Sequence, residues 1–352
     1  MRLLFRPRAS RPSLFLSAWL LLAWALPLAG WSAEARVVVY SPHGPEILAE
    51  MKARFERAHP DTRVEVQYLS QTDILAKLRA ERDNPYCDVW WGGTTQFFDQ
   101  GAAEGLLQPY KPTWAAAVGA EFRHPADDWY GQFIQVPCFL FNEKLMGAKD
   151  APRDWDDLLD PQWKGRIVIR EPLASGTMKT ILSAMILRQT KAGKTEAEGF
   201  QWLKRLDEQT AAYVSSPEAL FEKVGKSPAG YVSLWNVTDA LFQKNRNNYP
   251  FGFVVPASPV PVSVDALAIT AASSNVEGAR AFYEFCSNVE NSKWLAEVHY
   301  RFNARTDLPP DTIPEWRKGV SFTPMQVDWN DFNAKVGPWM ERWQKEIRDR
   351  AK

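Results

Sequence analysis

The amino-acid sequence predicts an α/β protein made of two lobes that are joined by two hinge crossings. Strand patterns and amphipathic helix patterns alternate along most of the 352 residues, which is typical of sheets covered by helices on both faces. The length is sufficient for two domains. Two apolar strand patterns, residues 132–141 and 263–270, separate the groups of elements that would form the lobes. We expect each lobe to be a mainly parallel sheet flanked by helices, with residues 36–138 and 264–352 in the first lobe and 139–263 in the second.

The first 35 residues predict a secretory signal peptide. Four arginines without an acidic residue precede an apolar segment at 14–30, and residues 33–35 (AEA) match the A-x-A pattern of a cleavage site. A retained membrane anchor is the alternative, but the apolar segment is barely long enough to span a bilayer and Pro27 interrupts it. We expect cleavage near Ala35 and export of the rest of the chain.

The balance of charges argues against nucleic acid as a partner. The chain has 42 basic and 42 acidic residues, and removal of the signal peptide leaves 38 and 41, a net charge of −3. The three cysteines have spacings that match no metal-binding pattern, so we expect three buried thiols.

The first lobe begins with three predicted strands. Their patterns cover residues 36–40, 64–69 and 88–91, with amphipathic helices between them. In open α/β sheets, ligands lie outside the carboxyl ends of the strands. We therefore expect ligand contacts in the loops that follow the first and third strands. The candidate residues there are Ser41, His43, Gly92, Gly93 and Thr94.

Three of these candidates have alternative interpretations. The pair Gly92 and Gly93 lets the backbone approach a ligand closely, or it serves a tight turn. His43 is either a ligand contact or a loop cap. The residue types alone leave both alternatives open.

The stretch from Asp154 to Thr180 organises the second lobe. It reads DWDDLLDPQWKGRIVIREPLASGTMKT, with acids at a helix start, a β-branched strand pattern at 166–169 and a Ser-Gly-Thr segment that opens a second helix. Unpaired N–H groups and two hydroxyls at one helix start form a potential anion site. The alternative is that Ser175 only caps the helix. The candidate residues are Ser175, Gly176 and Thr177.

Three further candidates follow this stretch. Trp235 and Asn236 lie at the end of another strand pattern, and Trp235, like the two tryptophans of the third strand, could stack on the organic part of a ligand. Asp265 lies on the strand that returns to the first lobe, where it either receives a ligand amine or hydroxyl or accepts a hydrogen bond at the hinge. A final helix is predicted over about 332–348.

Several ordered segments resemble the periplasmic solute-binding proteins of ABC importers, in their ferric-iron and small-anion group. These segments are VVVYSPHG, DVWWGGTT, the central stretch described above and NVEGARAFYEFCSN, and together they cover most of the chain after the signal peptide. The resemblance implies a type II periplasmic-binding-protein fold, a ligand between the lobes and closure by hinge bending. It also implies a periplasmic location and delivery of the ligand to an ABC permease. A ligand-sensing partner of a membrane receptor is an alternative role for the same fold.

The same resemblance bears on the ligand. Ferric-iron-binding members hold iron with a His in the first loop, a Glu at the end of the third strand and an adjacent Tyr pair in the second lobe. This chain keeps His43, but it has Gly92 and Gly93 at the strand end and no tyrosine pair around Trp235. Because a ferric ion needs anionic oxygen ligands, the resemblance implies that iron binding is lost and that no metal or other cofactor is bound.

The segments Gly92–Thr94 and Ser175–Thr177 would place two clusters of neutral hydrogen-bond donors in one cleft. Such a cleft suits a small anionic organic solute, such as a phosphorylated compound or a phosphonate. Ferric-iron binding remains the alternative for the ligand.

No catalytic residue is predicted. The four histidines lie in no nucleophile elbow, zinc-protease motif or recognisable Cys–His arrangement. We expect a binding protein rather than a secreted hydrolase. Its expected partners are a small anionic ligand and an ABC permease in the inner membrane, and we expect a monomer.

Overall fold

A computed structural model of the chain describes residues 35–349, so the predicted signal peptide, apart from its last residue Ala35, lies outside the described residues. The strands are β1 (Ala35–Ser41), β2 (Thr62–Tyr68), β3 (Val89–Thr94), β4 (Leu107–Gln108), β5 (Tyr130–Gln135), β6 (Pro137–Asn142), β7 (Ile167–Arg170), β8 (Thr210–Val214), β9 (Val232–Asn236), β10 (Phe251–Val254), β11 (Ser263–Thr270) and β12 (Phe302–Asn303). The α-helices are α1 (Pro45–Ala58), α2 (Gln71–Ala80), α3 (Thr95–Ala103), α4 (Gly176–Lys191), α5 (Glu196–Gln209), α6 (Pro217–Lys226), α7 (Val237–Asn247), α8 (Val276–Cys286), α9 (Val289–His299), α10 (Glu315–Lys318) and α11 (Trp329–Trp343).

The strands form two sheets. The first has the order β12-β5-β11-β3-β1-β2, with β4 beside β11, and the second has the order β10-β6-β9-β7-β8. The predicted α/β class with two helix-flanked sheets is confirmed. The pairing is mixed rather than mainly parallel, because β11 in the first sheet and β6 in the second lie antiparallel to both of their main neighbours.

Helices cover both faces of the first sheet, as the alternation along β1 shows. Val37 and Val39 belong to one buried cluster, whereas Val38 and Tyr40 belong to another on the opposite face. Successive side chains of a strand point to opposite faces, so an unbroken apolar strand is expected where both faces are buried. The second sheet has its own large buried cluster.

The chain passes between the sheets at the two predicted places. Only Val136 separates β5 of the first sheet from β6 of the second, and residues 255–262 lead from β10 back to β11. A third connection follows β12. It leads to α11, whose buried face belongs to the cluster of the second sheet and includes Trp339 and Met340. The predicted residue boundaries of the lobes stay a prediction, and within the range 264–352 this terminal helix packs with the second sheet.

Two smaller expectations concern the cysteines and the membrane. Cys87, Cys138 and Cys286 are all buried free thiols, as predicted. Within residues 35–349, no helix combines the length and the apolar character that crossing a membrane requires.

Candidate functional site

A cleft with a volume of about 730 Å³ lies between the residues of the two sheets. It is bounded by the loop after β1, the end of β3, the start of α2, the end of β7 and the first turns of α4, α6 and α7. The loop expected after the third strand is absent, because α3 follows β3 directly. The predicted site residues that line it are His43, Gly93, Thr94, Ser175, Gly176, Thr177 and Asp265. The predicted residues that do not line it are Ser41, Gly92, Trp235 and Asn236.

Ser41 and Gly92 both hold His43. The Ser41 hydroxyl accepts a hydrogen bond from the His43 backbone N–H at 3.1 Å. The imidazole lies directly against Gly92, where an added Cβ would be 2.3 Å from Nε2. Gly92 also has a φ of +93°, a conformation that side chains disfavour. The first glycine of the pair is therefore required by the packing of His43.

His43 itself is buried, with its ring edge-on to Trp91 at 4.9 Å and to Phe133 at 5.8 Å between ring centroids. Burial holds the pKa of His43 well below its usual value, and the nearby Arg301 and His299 act in the same direction. The ring is therefore neutral at neutral pH and adds no positive charge to the cleft.

The second glycine makes room for Gln71. A Cβ on Gly93, which has a φ of +109°, would lie 3.0 Å from the Gln71 Oε1 atom. That oxygen accepts hydrogen bonds from the Thr94 backbone N–H at 2.8 Å and from the Thr94 hydroxyl at 3.1 Å. These Thr94 donors are thus already used within the protein. The Thr94 methyl group lies 3.8 Å from the place a Cβ on Gly176 would take, so the two sides of the cleft approach each other here.

Ser175, Gly176 and Thr177 start α4 with its first turn in the cleft. Ser175 is the N-cap, because its hydroxyl accepts a hydrogen bond from the Met178 N–H at 3.3 Å. Ser175 therefore caps the helix, and its role as a ligand contact stays a prediction. The first N–H groups of a helix have no partner within the helix, so Gly176 and Thr177 bring donors and the positive helix end to the cleft.

Two arginines that sequence reasoning missed line the same cleft. Arg170 ends β7 and Arg301 follows α9, and the Nε atom of each is buried without an acceptor. Carboxylates of the cleft act on both at longer range, Glu218 and Asp239 on Arg170 and Asp265 on Arg301. Arg170 could have been found from its position at the carboxyl end of a predicted strand. No pattern marks Arg301, which enters the cleft after Tyr300 takes a left-handed conformation with φ 54°.

Trp235 and Asn236 contact a third missed residue, Asp239. The Trp235 indole and the Asn236 amide each donate a hydrogen bond to the Asp239 Oδ2 atom at 2.9 Å. The Asn236 side chain also caps α7 by accepting from the Asp239 N–H at 2.8 Å. Trp235 is buried, and so are Trp90 and Trp91 of β3, on opposite faces of the first sheet. The tryptophans considered for stacking are therefore core residues, and Trp235 orients a carboxylate of the cleft.

Asp265 lies in the wall of the cleft on β11. Its Oδ2 atom accepts a hydrogen bond from the Gln135 amide at 3.0 Å. This oxygen is therefore a hydrogen-bond acceptor at the hinge, which was one of the two roles considered for Asp265. Burial raises the pKa of Asp265 above its usual value, and nearby Arg301 and the hydrogen bond from Gln135 reduce this shift. Asp239 and Asp265 face the cleft that also contains the two arginines, so the site presents both signs of charge.

The cleft can therefore hold a small, strongly polar molecule. Arginine guanidinium groups and a helix N-terminus bind oxyanions, and carboxylates bind amines or hydroxyls. Within residues 35–349, no group of three or more His, Cys, Asp and Glu side chains has the arrangement of a metal site. A two-sheet α/β fold with a polar cleft between the sheets defines a class of hinged solute-binding proteins.

Residues 84–333 match the model of the family described as bacterial extracellular solute-binding protein. The chain belongs to this family. It is 26% identical over 344 residues to a Salmonella typhimurium protein named "Putative 2-aminoethylphosphonate-binding periplasmic protein", with 93% of this chain and 96% of the relative covered. It is 25% identical over 320 residues to a Sinorhizobium fredii protein named "Probable ABC transporter periplasmic-binding protein y4fP", with 89% and 86% covered.

The fold is similar to that of a solved periplasmic binding protein. The structure of AfuA from Actinobacillus pleuropneumoniae, with fructose-6-phosphate bound, aligns with a TM-score of 0.73 at 22% identity and covers 90% of this chain and 99% of that chain. The prediction of a solute-binding component of an ABC transporter with the type II fold is confirmed. The chain is a binding protein rather than an enzyme, because its family consists of solute-binding proteins.

Proposed function

We propose that this protein binds a small organic phosphate or phosphonate in the cleft and delivers it to an ABC permease as a monomer. The observation that carries the proposal is the pair of arginines, Arg170 and Arg301, whose buried Nε atoms have no acceptor among the described residues. Glu218 and Asp239 act on the charge of Arg170, and Asp265 lies near Arg301, but neither Nε donor has an acceptor in the described part of the chain. A ligand oxyanion would satisfy these buried donors. Export to the periplasm with cleavage near Ala35 belongs to the same proposal.

The anionic group would lie at the start of α4. Gly176 and Thr177 supply backbone N–H donors there, and Arg170 lines the same part of the cleft from the end of β7. Such a combination of helix N-terminus and guanidinium is typical of phosphate sites. The relatives support this ligand class, since one is named for 2-aminoethylphosphonate and one solved structure holds fructose-6-phosphate.

The rest of the ligand would meet the other walls of the cleft. Asp239 and Asp265 are placed to accept hydrogen bonds from an amine or hydroxyl. Tyr68, with 62% of its surface exposed, presents a ring to the cleft that could cover an organic segment. The tryptophans that the sequence suggested for this role are buried and do not line the cleft, so we assign the role to Tyr68.

A ligand screen tests the ligand class. The protein would be purified under denaturing conditions, refolded, and screened by thermal shift against sugar phosphates, phosphoglycerates, aminoalkylphosphonates, polyamines and ferric salts. A ligand at one hundred times its dissociation constant adds about 2.7 kcal/mol of stability. We expect hits among phosphate and phosphonate compounds, and a response to ferric salt alone would contradict the proposal.

Arg170→Gln tests the position of the anionic group. Hydrogen bonds to a charged group contribute about 1.5–3 kcal/mol, so we expect the dissociation constant of the ligand found to rise about tenfold or more. Arg166→Gln is the matched control, because Arg166 precedes the same strand at its other end and donates to the Gly230 carbonyl instead. Equal affinities of the two variants, measured by titration calorimetry, would place the anion elsewhere.

A further inference from the structure

A second cavity adjoins the cleft at Arg301. Its volume is about 400 Å³, and residues from the end of α9 to α10 line it. Its charged lining residues are all basic: Arg301, Arg305, Arg317 and Lys318. Arg301 lines the cleft as well, so this residue belongs to the walls of both cavities.

Two of the four cations are compensated by neighbours outside the cavity lining. Arg305 donates to both Asp307 oxygens at 2.9 and 2.8 Å and to the Ser287 carbonyl. Lys318 forms an exposed ion pair with Glu315 at 2.8 Å within α10. Surface pairs of this kind are weak, so Lys318 stays available to a ligand.

Neither of the other two cations forms an ion pair in the described part of the chain, although the charge of Arg301 acts on Asp265 in the cleft. Arg317 is half-buried, with its guanidinium carbon 5.1 Å from the Phe302 ring and 5.5 Å from the Phe322 ring, and one of its N–H groups donates to the Val320 carbonyl. Arg301 has the buried Nε atom without an acceptor. Arg317 is therefore a half-buried cation without a paired carboxylate, and an anion between Arg317 and Arg301 would stabilise both guanidinium groups.

We propose that this cavity is a second anion-binding site, which takes a small oxyanion of the phosphate type between Arg301 and Arg317. An oxyanion there draws on the charge of Arg301, which the cleft also uses. Occupation of one cavity therefore weakens anion binding in the other, and the effect is reciprocal. The second site goes beyond the proposed function and does not depend on which ligand the cleft takes.

Equilibrium dialysis against radiolabelled inorganic phosphate, at low ionic strength, tests the second site. The refolded protein is compared with Arg317→Gln, with Lys318→Glu, which changes an exposed side chain, and with Arg170→Gln in the cleft. Arg342→Gln is the control, because Arg342 is a surface arginine that lines neither cavity. We expect a phosphate site that survives Arg170→Gln and Arg342→Gln, and whose dissociation constant rises at least tenfold in Arg317→Gln and in Lys318→Glu.

The possible outcomes separate the second site from the cleft. Phosphate binding that Arg170→Gln abolishes and Lys318→Glu leaves unchanged would belong to the cleft alone and would overturn the second site. The absence of any phosphate binding would overturn it as well. Binding that persists in Arg170→Gln but is lost in Lys318→Glu would support the second site, even if the ligand screen of the cleft failed.

Discussion

Replacement of Gly92 by alanine tests the packing that holds the cleft loop around His43. The new Cβ would lie 2.3 Å from Nε2 and 2.6 and 2.7 Å from two ring carbons, far inside the 3.5–4.0 Å of a favourable carbon contact. The ring cannot easily move, because Trp91 and Phe133 pack against it. The positive φ adds about 1–2 kcal/mol and overpacking about 1–3 kcal/mol, so we expect a loss of about 2–5 kcal/mol in the free energy of unfolding.

The matched control is Gly105→Ala. Gly105 also has a positive φ, +67°, but nothing lies within 4 Å of an added Cβ. It should therefore show only the backbone term of about 1–2 kcal/mol. Urea unfolding followed by tryptophan fluorescence measures both variants. Because His43→Ala removes the clashing ring, the double variant with Gly92→Ala should recover the overpacking part, a coupling of about 1–3 kcal/mol. Equal losses for Gly92→Ala and Gly105→Ala, or no coupling to His43→Ala, would refute the reasoning.

Two further predictions concern buried polar groups. Trp235→Phe keeps an aromatic ring but removes the indole donor to Asp239, so urea unfolding should show a loss of about 1.5–3 kcal/mol, whereas an unchanged stability would mean that this hydrogen bond adds nothing. Burial and three nearby arginines lower the pKa of His299 to about 4 in the folded state, so the unfolded state takes up the proton first as the pH falls. The stability linked to His299 is therefore complete above about pH 6.5 and decreases by about 3 kcal/mol toward pH 4. His299→Gln should reduce the acid-induced loss by that amount in unfolding curves recorded across this range, and an identical pH profile would contradict the assignment.

Local patterns were sufficient to predict most of the strands and two of the three connections between the sheets, whereas β4, β8 and β12 were not predicted. Consecutive apolar residues predict a strand such as β1. Ser175 and the residues after it predict the start of α4. The cleft loops followed from the rule that ligands lie at strand ends. The same rule, applied to β7, would have found Arg170.

Other features of the site depend on contacts between distant parts of the chain. His43 and Gly92 meet only because β1 and β3 are neighbours in the sheet, so neither residue reveals alone that the glycine makes room for an imidazole. The direction of the Trp235 indole toward Asp239 is likewise a tertiary property. Arg301 reaches the cleft after a left-handed residue that no periodic pattern marks.

The position of the last helix has a consequence for when the protein can fold. The first sheet needs β11, a central strand whose residues come from the final third of the sequence, and the second sheet needs α11, which lies almost at the carboxyl end. A nascent chain therefore holds no finished hydrophobic core until β11 and α11 have been synthesised. Such late completion favours a polypeptide that stays unfolded during export and folds as a unit after translocation.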